Sequence, residues 1–212
     1  METLDRLMSV ALPIAWVVFA VGMTVRTRRI LALPYRPDRA APRDSARYGA
    51  FYALTFAMLP WKKESTRTHW ATYTAGMVMH IAVFLAIVFA LARLAGVGQG
   101  VAGMLLRLVG PLGLAAALGL LVKRAVVPHM RAISTPDDFI SNALVDFYLL
   151  GGVLTVSDPD WAPLWRLAVV LLLLWVPVGK IYHMVLFFIS RLLFGWQFGR
   201  RGVIRHAKPI SY

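Results

Sequence analysis

The stretch 70–94, WATYTAGMVMHIAVFLAIVFALARL, decides the fold. It runs 25 residues with one charged side chain, Arg93 near its end, and one histidine, His80. A helix needs about 20 mostly apolar residues to cross a bilayer. Four further stretches meet that length, at about 7–25, 101–122, 139–156 and 162–193. Together they predict an all-α membrane protein, a bundle of five transmembrane helices. No internal repeat or low-complexity tract divides the chain, so 1–212 reads as a single integral membrane domain.

Composition agrees. Of the 212 residues, 59% are hydrophobic and 16% are charged. A soluble domain carries about 25% charged residues, and disorder needs charge without hydrophobicity. Both classes are excluded. There is no cysteine, which removes disulfide scaffolds, thiolate zinc sites, Cys-ligated iron–sulfur clusters and Cys nucleophiles.

The net charge of +13 raises the question of nucleic acid, and the placement of the charges answers it. Of 23 Lys and Arg, 18 fall in 26–68, in 123–138 and from Arg191 to the end. Arg6, Arg93, Arg107 and Arg166 sit at or near helix ends on the other side. The positive-inside rule then predicts an N-out, C-in chain. The first stretch is not a cleaved signal peptide, because its basic cluster, Arg26, Arg28 and Arg29, follows it. The basic residues track topology, so no nucleic-acid partner is expected.

Two loops carry local signals. Thr135-Pro136-Asp137-Asp138 opens the fourth helix, with a cap, a first-turn proline and acids at the positive helix end. The segment 44–60 is too short to span yet holds Tyr48, Phe51, Tyr52, Phe56 and Met58. It reads as an interfacial helix in the first cytoplasmic loop. Arg47, Lys62, Lys63 and Arg67 could there meet anionic lipid headgroups, or the segment could serve as a quinone platform.

Of five histidines, His69, His129 and His206 fall in or beside basic cytoplasmic segments and read as surface residues. His80 and His183 lie inside spans, where polar side chains are costly and usually functional. His80 is 11 residues from His69, and His183 is 8 before Arg191. These are about 16 Å and about 12 Å from the same face. Two imidazoles at one depth on two helices can hold a haem iron from both sides. They can equally hydrogen-bond neighbouring helices.

Lys180 lies three residues before His183 and so projects to nearly the same face. Inside the fifth span, about 17 Å from Arg191, it needs a counter-charge or a path to water. A haem propionate would supply one. Pro177 predicts a kink just above. Gly76, Gly151 and Gly152 leave room for a flat cofactor, or serve plain helix packing.

At this point the chain resembles a known family, the membrane cytochrome b (gamma) subunits of respiratory nitrate reductase. The related cytochrome b subunits of heterodisulfide reductase and of sulfite-reductase-associated complexes belong to the same group. The likeness covers roughly 62–200. It rests on Met79-His80-Ile81, on the stretch from Leu121-Val122-Lys123-Arg124 to Thr135-Pro136-Asp137-Asp138, on LLGGVLTV at 149–156, and on Pro177-Val178-Gly179-Lys180-Ile181-Tyr182-His183. The resemblance implies haem b with His80 and His183 as axial ligands and Lys180 beside a propionate. Quinone or quinol is then the substrate, and an iron–sulfur subunit docks on the cytoplasmic side. It implies a multi-pass protein of a bacterial or archaeal inner membrane. The chain would be an electron-transfer subunit of a quinol-linked oxidoreductase rather than a stand-alone enzyme. Where the family places the ligands of a second, outer haem, this chain has Ala90 and Trp165. Neither can ligate iron, so one haem is expected. The rival is a haem-free anchor, or a proton- or ion-translocating subunit using His80, Lys180 and His183.

Overall fold

The run of Ala, Val, Leu, Ile and Met from Trp70 to Leu94 forms one helix, as expected. The computed structural model describes residues 2–34, 38–62, 66, 68–97 and 100–204. In chain order the α-helices are α1 (Glu2–Leu31), α2 (Ala46–Leu54), α3 (Trp70–Leu94), α4 (Gly100–Val126), α5 (Pro128–Ala132), α6 (Pro136–Ser157), α7 (Ala162–Trp175) and α8 (His183–Arg200). Short 3-10 turns lie at Phe56–Met58, Pro60–Lys62, Pro159–Trp161 and Lys180–Tyr182. No strand occurs among the described residues. Five helical stretches are long and apolar enough to cross a membrane: α1, α3, α4, α6 and Lys180–Arg200. The chain is an all-α multi-pass membrane protein.

The single domain read from the sequence is built of two compact units. The first holds residues 1–24 and 71–181, the second 25–70 and 182–212.

In the first unit, α4 and α7 both pack against α6. The contacts between helices are made by small residues, as membrane helices require where backbones approach closely. A Cβ added to Gly113 of α4 would collide with the Ala82 side chain of α3. Ala82, Ala86, Phe89, Leu149, Trp165 and Ala168 form the shared core. The outward faces are apolar too. Leu7, Val10, Ile14 and Val17 of α1 and Phe84, Val88 and Leu91 of α3 are exposed, a surface suited to lipid.

The fifth span departs from expectation. The continuous helix read over 162–193 is broken at 176–179, between α7 and the turn Lys180–Tyr182. Pro177 has no amide hydrogen to continue the ladder. The backbone instead closes a turn on Trp175, whose carbonyl accepts from Val178 (3.0 Å) and Gly179 (2.8 Å). Gly22 of α1 lies against this break, where a Cβ would come within 2.6 Å of the Pro177 ring. The break ends α7 within the first unit, and α8 begins the second helical stretch.

In the second unit, α2 is clasped to α8. Gly49 meets Gly195 and Gly199 so closely that a Cβ on any of them would strike the facing backbone. A helix thus forms within the segment 44–60, as α2, and its glycine face is covered by protein. The loop before it is pinned to the end of α8: Arg43 N–H donates to the Arg200 carbonyl (2.8 Å), and Arg201 pairs with Asp38 (2.7 Å).

Candidate functional site

The polar groups of the first unit gather at the start of α6. Thr135 is the N-cap and Pro136 opens the helix, as expected. The Asp138 carboxylate accepts from the Thr135 backbone N–H (2.8 Å) and hydroxyl (2.9 Å), closing the cap. Its neighbour Asp137 accepts from the Ser141 hydroxyl (2.8 Å) and the Lys180 backbone N–H (3.1 Å). The Trp175 indole donates to Ser141 (2.9 Å) and so ties the end of α7 to the same turn.

Lys180 enters this cluster. Its ammonium lies 2.5 Å from Asp138, and Arg124 of α4 stands 3.6 Å from the same carboxylate. The Lys180 side chain is 51% exposed. Lys180 thus stands as the first residue of the fifth candidate span with a counter-charge beside it. The break at Pro177 brings it to the first turn of α6, where Asp138 is the counter-charge. A propionate partner is not required.

His80 sits on the exposed face of α3. Its Nδ1 lies 2.7 Å from the Gly76 carbonyl oxygen. A carbonyl only accepts, so Nδ1 is the donor and the Nε2 lone pair is left available. Metal-ligating histidines commonly have their second nitrogen fixed in this way. Space is open beside it, because a Cβ on Gly76 would meet nothing within 4 Å. Phe84, Met77 and Ile81 give that face an apolar lining. On these grounds His80 fits an axial ligand of a haem lying on this face of α3.

His183 belongs to the second unit, as the first residue of α8. Its position is set by Tyr182, which is 1% exposed. The Tyr182 hydroxyl is 2.9 Å from that of Thr27, and Arg26 stacks 4.4 Å above its ring. His183 is itself exposed, eight residues before Arg191 on an unbroken helix. Of the three candidates, then, His80 and Lys180 lie in the first unit and His183 in the second. His69 and His129 are exposed, as expected. His206, Lys63 and Arg67 lie outside the described residues.

The space read at Gly151 and Gly152 is occupied. Trp165 of α7 lies across both, with its Cα 2.9 Å from where a Gly151 Cβ would stand. The indole stacks on Phe89 (5.4 Å) and packs against Tyr148 (5.9 Å). These glycines serve packing, and no flat cofactor fits beneath them.

Sequence reasoning missed one residue. Asp146 of α6 is 6% exposed, in the middle of the fourth span. The Asn142 amide donates to both of its oxygens (3.2 Å each) and approaches the Ala117 carbonyl (3.4 Å). The available signal was the pattern Asp138, Asn142, Asp146, each four residues from the last. At the far end of the unit, a cleft lined by Glu2, Asp5, Asp160, Arg6, Arg93 and Arg166 balances three acids against three arginines. Compared with protein-family models, curated proteins and solved structures, the chain matches none.

Proposed function

We propose that the chain is a single-haem b-type cytochrome subunit. It carries electrons between the quinone pool and an iron–sulfur protein on the cytoplasmic side of a bacterial or archaeal inner membrane, with the N-terminus outside. The observation that carries this reading is the His80 imidazole, anchored through Nδ1 to Gly76 with its second nitrogen on an apolar, unobstructed face. Bound there, a haem b would supply the one-electron couple, and the protein would set its potential through ligands, burial and nearby charge. His183 is the partner ligand in this reading, held at the helix start by Tyr182. Trp165 and Ala90, in one apolar cluster, support a single haem. The chain has no cysteine, so an iron–sulfur cluster belongs to the partner. The basic loop 26–68 and the C-terminal tail, Arg43, Arg47, Arg200 and Arg201 among them, are the surface offered to that partner.

The test is a dithionite-reduced minus oxidised spectrum of the purified protein, with haem counted per chain. The reading expects a bis-imidazole b-type spectrum with one haem, lost in His80→Ala and in His183→Ala. A colourless protein would replace it with the haem-free anchor.

A further inference from the structure

Asp146 is the one buried carboxylate within a span among the described residues. It stands eight residues from Asp138, about 12 Å along α6, and 11 from Ser157, about 16 Å. An acid at that depth is expensive and needs a partner. Its side-chain partner is the neutral Asn142 amide alone. The cations of the helices packed on α6 are engaged elsewhere. On α4, Arg107 donates to the Val156 carbonyl, Lys123 to Thr72, and Arg124 to Ser134 and Asp138. On α7, Arg166 holds Asp5. Asp160, on the turn Pro159–Trp161, is at the far end, and Tyr148 faces Trp165.

Polar side chains lie between Asp146 and the exposed start of α6. Asp138, Asn142 and Asp146 recur every four residues and so form one stripe on α6. The stripe starts at the exposed Lys180–Asp138 pair. It ends level with His80. Asn142 reaches Ala117 of α4, and one turn further along is Gly113, which abuts Ala82 of α3. Asp146, one turn beyond Asn142, therefore lies about 3 Å in height from His80, two residues from Ala82.

We propose that Asp146 is a proton-binding carboxyl whose protonation is linked to the oxidation state of a haem held at His80, with Asn142 and Asp138 as its path to water. This rests on the cytochrome reading above. A haem held at His80 would supply a one-electron couple, and its reduction would add one negative charge near this level. The Asp146 carboxylate then binds one proton from water at the basic end and becomes the neutral acid. On reoxidation the electron leaves for the partner and the proton returns along the stripe. In an apolar medium little solvent screens charges from one another, so their coupling reaches further than it would in water.

The experiment is a redox titration of the purified haem protein at several pH values, beside haem quantitation. In the wild type the midpoint potential falls as pH rises, by up to about 59 mV for each tenfold drop in proton concentration. Asp146→Asn keeps its haem and loses that slope. Asp146→Glu keeps a slope, displaced along the pH axis. As a readout that needs no haem, a hydrophobic carbodiimide modifies the Asp146 peptide of the wild type. A flat wild-type titration overturns the inference whatever the variants do. So does an Asp146→Asn protein with haem and an unchanged slope, and so does a carbodiimide that leaves the Asp146 peptide intact. In those cases the cytochrome reading stands. Purified protein without haem overturns both.

Discussion

Replacing Gly49 by alanine tests the contact that organises the second unit. The added Cβ would stand 2.5 Å from the Gly199 Cα and 2.8 Å from its nitrogen, and would also strike the Gly195 carbonyl. All three are backbone atoms, so no side chain can rotate away. Carbon atoms rest at about 3.5–4.0 Å, so α2 and α8 must separate by about 1 Å. A gap of that size forfeits a quarter to a half of each dispersion contact along the seam. Overpacking of this kind costs about 1–3 kcal/mol. Alanine recovers about 0.5–1 kcal/mol of helix propensity over glycine. At mid-range the net loss is about 1 kcal/mol, a factor of about 5 in the open population. Amide hydrogen exchange of α2 in the purified protein reads that factor. Gly119→Ala is the control, since its Cβ would meet nothing within 4 Å. Unchanged exchange of α2 in Gly49→Ala would refute the clasp.

Three further outcomes are expected. Trp165→Ala removes the indole that fills Gly151–Gly152 and stacks on Phe89, at a cost of about 3–5 kcal/mol; a thermal melt in detergent that matches the wild type would contradict this packing. Lys180→Ala leaves haem content and the reduced spectrum unchanged, because its counter-charge is Asp138; loss of haem would return Lys180 to the propionate. A double-mutant cycle on Lys180 and Asp138 gives a coupling of about 0.2–1 kcal/mol, read by denaturation at low and at high salt, with the value falling as salt rises.

Much of the fold was legible because lipid imposes a simple rule. A span must be long and apolar, and four of the five expected stretches became single helices near the expected bounds. The start of α6 was legible for a different reason, since capping is local and its residues are adjacent in sequence. The fifth span was not. Pro177 signals a kink, but whether a helix bends or breaks depends on what packs at the gap. Here Gly22, 155 residues earlier, accepts the proline ring. The counter-charge of Lys180 was not legible either, because Asp138 lies 42 residues earlier in the chain. Gly195 and Gly199 have the spacing of a close helix contact, but their partner Gly49 lies some 150 residues away, beyond any local pattern. Asp146 was hidden by averaging, because one acid among Leu, Val and Phe barely lowers the hydropathy of the stretch.

The placement of acids sharpens the case for Asp146. In the described chain the acids bound to cations stand at helix ends or in loops: Glu2 with Arg6, Asp5 with Arg166, Asp38 with Arg201, and Asp138 with Lys180 and Arg124. Each balances an arginine or lysine that would otherwise stand without a counter-charge. Asp158 serves structure by accepting from the Asp160 N–H as the cap of its turn. Asp146 does neither. It neutralises no cation and caps no helix, and Asn142 and Asp146 are the polar pair along an otherwise apolar stretch from Asn142 to Leu154. Leucine would fill the same space between α6 and α4 without the cost of bringing a carboxyl into the bundle. An acid that neither topology nor packing requires is accounted for by what only an acid can do at that depth, which is to bind and release a proton.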